Sequence, residues 1–194
     1  HKIKSLYRES LAIHGDSPAS LGWPKGRQDI RFENLLQPAL KFPEERLSLC
    51  DFGCGLGHLQ EYLQGQKITK FDYLGLDIVP ELVDLAFSEG RNVRLIDVNE
   101  PDFGSYDCVV ASGIFNLKFY PEDEDNQKYI LSNLTALINA SERYFACDFM
   151  RPDVDYQQNE AWHQPYEILI SHLGRFSRNI EIIMHPLPWE YTVR

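Results

Sequence analysis

Three glycines, Gly53, Gly55 and Gly57, stand at every second position after an acid, Asp51, in the run LCDFGCGLGHLQEYL. Glycine lets the backbone take positive φ and approach a ligand closely. The residues before the turn read as a short buried strand, RLSLCDF; those after it place Leu59, Tyr62 and Leu63 at helical spacing. The glycines, with Cys54 among them, thus lie on a strand-to-helix turn, where backbone N–H groups and a helix N-terminus face a ligand. Two further acids end later predicted strands, Asp77 in YLGLDI and Asp97 in VRLIDV, and the strand YDCVVAS delivers Ala111, Ser112 and Gly113. Open parallel sheets bind ligands beyond the carboxyl ends of their strands. Acids at three successive strand ends suit a diphosphate poorly. They suit a ligand that carries hydroxyls, an adenine amine and a positive charge.

The elements that must position these residues alternate along the chain. Ile3, Leu6, Tyr7 and Leu11 share one helical face, and a loop punctuated by Gly, Pro and Ser follows, HGDSPASLGWPKG. A second helix carries Phe32, Leu35 and Leu36 and is limited by Pro38. Strands are predicted over 47–52, 73–78, 93–98, 106–112 and 143–149, with helices near 57–65, 80–86, 124–139 and 166–173. Two last strands, IEIIMH and WEYTV, are joined through PLP, too short for a parallel crossover. The pattern predicts a doubly wound α/β sheet of seven strands, six parallel and the last antiparallel, with helices on both faces. One domain over 1–194 is expected, with an N-terminal helical cap over 1–45 and the core over 46–194.

Composition bounds the function. The 194 residues carry a net charge of −10, which argues against a nucleic-acid backbone as the main partner. No apolar run approaches the ~18 residues of a membrane span, and the opening HKIKSLYRES is too polar for a signal peptide. Cys50, Cys54, Cys108 and Cys147 read as buried, reduced thiols of a cytoplasmic protein, without the companions a zinc site needs. The oligomeric state is not legible.

The pattern D-x-G-x-G-x-G differs from the dinucleotide fingerprint G-x-G-x-x-G, because His58 stands where its last glycine belongs. With Asp77 twenty residues after Gly57 and Asp97 twenty further on, the chain from about 47 to 194 resembles the class I S-adenosylmethionine-dependent methyltransferases. The motifs that carry the likeness are DFGCGLG, LGLDIVPELVDLA, RLIDV, YDCVVASGIFN and the reversed seventh strand. The likeness is greatest to bacterial members of unassigned substrate, which carry a similar HGDSPASLGW segment and a similar terminal hairpin. The resemblance implies a Rossmann-like core that binds S-adenosyl-L-methionine and releases S-adenosyl-L-homocysteine. It places Gly53 to Gly57 beside the methionine part, with Asp51 orienting the turn or receiving the amino group through water. It gives Asp77 the ribose hydroxyls, Ile78 a flank of the adenine, Asp97 the adenine amine with Val98 supplying a backbone N–H, and Ala111 to Gly113 the floor beneath the methionine chain.

The cofactor's carboxylate needs a cation, and none occurs in the turn. Arg31, in the helix before the sheet, is the candidate; the alternative is a solvated helix charge. His58 reads as the first exposed helix residue or a ligand contact. Tyr7, Trp23, Trp162 and His163 either cover a substrate or pack. Asn116 in SGIFNLK either orients the acceptor or caps its own loop. SGIFN departs from the Asn-Pro-Pro-Tyr or Asp-Pro-Pro-Tyr signature of amine-methylating members, which puts base or amide N-methylation in doubt. The caps over 1–30, 114–126 and 151–165 suit a small-molecule acceptor better than a duplex. A binding-only module and a nicotinamide-dependent dehydrogenase are the alternatives, and the latter needs the fingerprint this chain lacks. An aminopropyltransferase needs an acidic pair for a polyamine, and ASGIFN offers none.

Overall fold

The computed structural model describes residues 2–22, 27–97, 104–184 and 186–194. Trp23, Val98 and His185 lie outside the described residues.

Alternation along the strands builds the core. In β1 (Leu47–Phe52), Leu47 and Leu49 face one side of the sheet and Cys50 the other; in β4 (Tyr106–Ala111), Cys108 and Val110 face the first side and Val109 and Ala111 the second. The first side is covered by α2 (Gln28–Leu36) and α3 (His58–Gly65), through Phe32, Leu35, Leu36, Leu59 and Leu63. The second is covered by α5 (Asp123–Ala140) and α6 (Tyr166–Leu173), through Ile130, Leu134, Leu137, Leu169 and Leu173. Both faces being buried, the strands read as apolar runs, as parallel sheets require.

The remaining strands are β2 (Phe71–Asp77), β3 (Val93–Leu95), β5 (Ser141–Met150), β6 (Ile182–Met184) and β7 (Glu190–Val193), and the order across the sheet is β3-β2-β1-β4-β5-β7-β6. The first five run parallel, and β7 enters antiparallel between β5 and β6. The short connection before WEYTV has the consequence its length demanded. The chain order reverses beside β1, between β2 and β4, and a ligand crevice opens there at the carboxyl edge.

Two additions complete the frame. The helix α1 (Lys2–His14) packs Tyr7 and Leu11 against Leu82 of α4 (Pro80–Ser88), and α4 starts with proline in its first turn. The strand β5 starts two residues earlier than its apolar run suggests. Ser141 takes an extended conformation directly after α5, and its hydroxyl donates to the Ile138 carbonyl (2.9 Å), so no loop is needed.

Candidate functional site

The glycine turn has the conformation its composition calls for. Gly53, Gly55 and Gly57 take φ of 75°, 56° and 73°, a region in which an L side chain is strained. The N–H groups of Gly53 and Cys54 both donate to the Leu76 carbonyl, at 2.7 and 3.1 Å, which ties the turn to the end of β2. A Cβ on Gly53 would collide with Ile114, and one on Gly55 would fall 2.8 Å from Leu21. Both positions must stay bare for the walls around them to close.

Asp77 ends β2 and holds two loops at once. One carboxylate oxygen accepts the Gly55 N–H at 2.8 Å and the other the Val79 N–H at 2.9 Å. Burial raises the Asp77 carboxyl, while the N–H groups of Val79, Gly55 and Ile78 pull it back toward the ionised form. Asp51, opposite Gly75 in the β1–β2 ladder, is 3% exposed and accepts the Tyr73 hydroxyl at 2.9 Å. Burial pushes Asp51 up to about 7; the Tyr73 hydrogen bond opposes this and the nearby Asp77 adds to it.

A cavity of about 900 Å³, including its mouth, lies over this edge. Gly53, Gly55, Asp77, Ile78, Ser112 and Gly113 line it, as the strand-end reading expects. Cys54 lies behind the turn against Val83, Ala86 and Val93, Gly57 is the N-cap of α3, and Ala111 is fully buried as the last residue of β4. Asp51 lies beneath the turn rather than on the cavity wall. Asp97 is exposed, one residue past Ile96, and Ile96 does line the cavity. The Ser112 hydroxyl donates to Asp148 at 3.1 Å, and Asp148 also accepts the Thr192 hydroxyl.

Three expectations need correction or refinement. Arg31 does not line the cavity: it is 1% exposed, and its Nε (2.6 Å) and Nη2 both donate to Glu190, so it pins α2 to β7. His58 is neither exposed nor on the cavity; it is buried, with Nε2 3.1 Å from Asp16. Trp162 and His163 pack: Trp162 joins the core and donates to Gln164, and His163 Nδ1 lies 2.6 Å from the Arg151 carbonyl. Asn116 stands between Phe115 and Leu117, which line the cavity, and is itself 7% exposed. Its backbone carbonyl accepts the Trp162 N–H at 3.0 Å, and its amide oxygen is buried without a partner among the described residues.

Wall residues that the motifs do not reveal come from distant segments. Tyr7 and Leu21 enter from the N-terminal cap, Tyr129 and Asn133 from the middle turns of α5, and Phe119 from the loop before it. Burial, with Asp77 nearby, pushes Tyr7 up to about 12. Asp77 is the one acidic side chain on the described wall, and Lys and Arg are absent from it. Apart from Asp77, Ser112, Asn133 and the glycines, the described wall is aliphatic and aromatic. It suits a ligand with a flat apolar body and a hydroxylated edge set against Asp77.

No family profile matches the chain. A curated protein of Mycobacterium tuberculosis strain H37Rv, Rv1506c, named as a methyltransferase, is 31% identical over 152 residues, which is 75% of this chain and 90% of that protein. Among solved structures, magnesium protoporphyrin IX methyltransferase from Synechocystis PCC 6803, with bound S-adenosylhomocysteine, superposes with a TM-score of 0.64 at 17% identity, over 97% of this chain and 91% of its own. An S-adenosylmethionine-dependent methyltransferase from Aquifex aeolicus gives 0.57 at 16% identity, over 96% of both chains. The plantazolicin methyltransferase BpumL, also with S-adenosylhomocysteine, gives 0.63 at 14% identity, over 99% and 95%.

Proposed function

The chain belongs to the methyltransferases, and from that premise we propose that it binds S-adenosylmethionine in the glycine-lined cavity and methylates a small-molecule acceptor by direct displacement. The observation that carries this reading is the single cavity wall formed by Gly53, Gly55, Asp77 and Gly113 at the carboxyl ends of β1, β2 and β4. Bare backbone at Gly53 and Gly55 and a carboxylate at the end of β2 fit a ribose-bearing sulfonium cofactor. When bound, that cofactor supplies an electrophilic methyl group, open to attack opposite its sulfur.

The residues of this chain then have defined work. Asp77 holds the turn and the loop after β2 through one backbone hydrogen bond each and turns its remaining lone pairs toward ribose hydroxyls. Ile78 and Ile96 give the adenine an apolar berth. Asp51 braces the turn through Tyr73 and offsets the cofactor's ammonium group. Ser112, fixed by Asp148, and Gly113 floor the methionine end. Positioning alone can supply ~7–11 kcal/mol of the acceleration, so a general base is not a requirement of the site.

A small acceptor is supported by the limited volume of the cavity and by the net charge of −10. It is in keeping with the magnesium protoporphyrin and plantazolicin named for two structural neighbours. Calorimetry tests the cofactor assignment: S-adenosylhomocysteine binds and NAD does not. The opposite result overturns it. Transfer of labelled methyl into a metabolite extract separates the enzyme from a binding-only module, which forms no S-adenosylhomocysteine.

A further inference from the structure

The segment HGDSPASLG lies outside the glycine and acid motifs, yet the structure connects it to both. Leu21 and Tyr7 are the two described cavity-wall residues that precede the sheet; every other comes from 52–133. Leu21 sits over Gly55 so closely that a Cβ there would fall 2.8 and 2.9 Å from its methyl groups. Between these two residues, Asp16 reaches from the loop to the far side of the glycine turn. Its oxygens accept Nη1 (3.1 Å) and Nη2 (2.6 Å) of Arg91, and one of them lies 3.1 Å from His58 Nε2. Burial alone would push the Asp16 carboxyl up, but the hydrogen bonds from Arg91 and His58 hold it below the usual carboxylate range.

Arg91 is the second half of the device. It is 7% exposed, and its Nη1 also donates to the Leu56 carbonyl at 2.8 Å, inside the glycine turn, while Glu61 accepts from its Nε and Nη2. One guanidinium thus grips the turn on which the ligand sits and the loop that carries Leu21. Releasing Asp16 does not strand a buried cation, because Glu61 and the Leu56 carbonyl still hold Arg91. The usual heavy cost of breaking a buried ion pair is therefore avoided. Asp16, with about a quarter of its side chain exposed (26%), returns to water readily. Earlier in the cap, Arg8 of α1 is tied to Glu81 at 2.6 Å, an exposed and weak pair.

We propose that Asp16 is a positioning residue that clasps the N-terminal cap, with Tyr7 and Leu21, onto the bound cofactor through Arg91, and so governs how fast the cofactor leaves. The proposal rests on the cofactor reading above. Opening the clasp lifts the two cap residues from the cavity wall and leaves the turn, with its Arg91 tie, in place.

The test uses the full chain, S-adenosylhomocysteine as the probe, and two readouts that need no methyl acceptor. Hydrogen exchange of peptides within 4–22 slows when the ligand saturates the protein. Surface plasmon resonance gives the association and dissociation rates. Asp16 makes three partly exposed contacts, so Asp16→Ala raises the dissociation rate about fivefold, the equivalent of ~1 kcal/mol. The wild-type dissociation rate rises with salt, which screens the pair, and the variant loses much of that dependence. Asp16→Glu, which keeps the carboxylate, recovers most of the slow dissociation, whereas a merely structural loop residue gives neither the salt effect nor the rescue. Leu21→Ala also speeds dissociation, without touching the ion pair. Tight binding with unchanged exchange over 4–22, or an unchanged dissociation rate in Asp16→Ala, overturns the clasp and leaves the cofactor reading standing. Absence of binding by the wild type overturns both.

Discussion

At the scale of single residues, the site concentrates acids that the sheet edge makes costly to ionise. Asp51 is pushed up to about 7, chiefly by burial, against an ordinary value near 3.8. The folded ligand-free protein therefore holds a proton on Asp51 that the unfolded chain gives up between those two values, so its stability falls as pH rises through that window. Asparagine keeps an acceptor for the Tyr73 hydroxyl and removes the charge. Asp51→Asn should accordingly be stabilising in urea unfolding, by less at pH 5, within the window, than at pH 8, above it. Saturating S-adenosylhomocysteine, whose ammonium group favours the ionised acid, should narrow the difference at pH 8. Equal stability of the two proteins at both pH values would show that Asp51 titrates in the ordinary range. Asn116 poses a different residue-scale question, because its buried amide oxygen has no partner among the described residues and its two neighbours line the cavity. A loop cap would show a side-chain bond to its own backbone. The orphaned oxygen favours a group that waits for the acceptor's donor hydrogen. Asn116→Ala should lower turnover at least about tenfold with cofactor affinity and melting temperature nearly unchanged, since a buried acceptor that meets its partner only in the reacting complex costs the free protein nothing to lose. A melting temperature that falls with activity per folded molecule intact would remove it from the site.

At the scale of elements, the strands carry the precision of the site, and one glycine shows how. Gly75 lies opposite Asp51 in the β1–β2 ladder, and a Cβ there would fall 2.7 Å from both Cys54 Sγ and the Tyr73 hydroxyl. The glycine thus makes room for the Tyr73–Asp51 hydrogen bond and for the back of the turn. Gly75→Ala overpacks that corner and should cost ~1–3 kcal/mol in denaturant unfolding. It should also weaken S-adenosylhomocysteine binding, by displacing Cys54 from behind the turn. A loss of stability with unchanged binding would separate the corner from the site. Elements with a strong period were legible in the sequence: β1 and α6 match their predicted bounds, and α5 differs by one residue at each end. The strands β3 and β6 are shorter than their apolar runs, because pairing with a single edge neighbour, rather than composition, ends them. Arg31 shows the limit of reading one element alone. Its partner lies 159 residues away, and the one available signal was an acid, Glu190, within a short strand that is otherwise apolar enough to be buried. A buried acid calls for a cation across from it, and α2 supplies that cation.

At the scale of the whole molecule, the cavity joins parts of the chain that no local motif connects. The strand-end residues were legible because a turn with positive φ needs glycine and because ligand acids fall at strand ends. Leu21, Tyr129 and Asn133 were not, since on their own helices and loops they follow the same spacing as core or surface positions, and Tyr7 was legible only as an aromatic that either covers a substrate or packs. Their convergence has a thermodynamic consequence. A ligand seated there touches the cap, the turn, the β2 and β4 loops and α5, so it binds the folded state alone and stabilises it by mass action. At about one hundred times its dissociation constant, S-adenosylhomocysteine should add ~2.7 kcal/mol to unfolding. For a chain of this size that moves the melting temperature by about 5–10 °C. Asp77→Asn keeps an acceptor for one of the two loops but gives up the charge that strengthens hydrogen bonds to ribose hydroxyls. A tenfold weaker site at the same ligand concentration retains ~1.4 kcal/mol, so the thermal shift should fall to about half. NAD, offered at the same concentration, should leave both proteins unmoved. A full shift in Asp77→Asn would place the ligand away from the end of β2, and with it would fall the floor argued for Ser112 and the acceptor contact argued for Asn116.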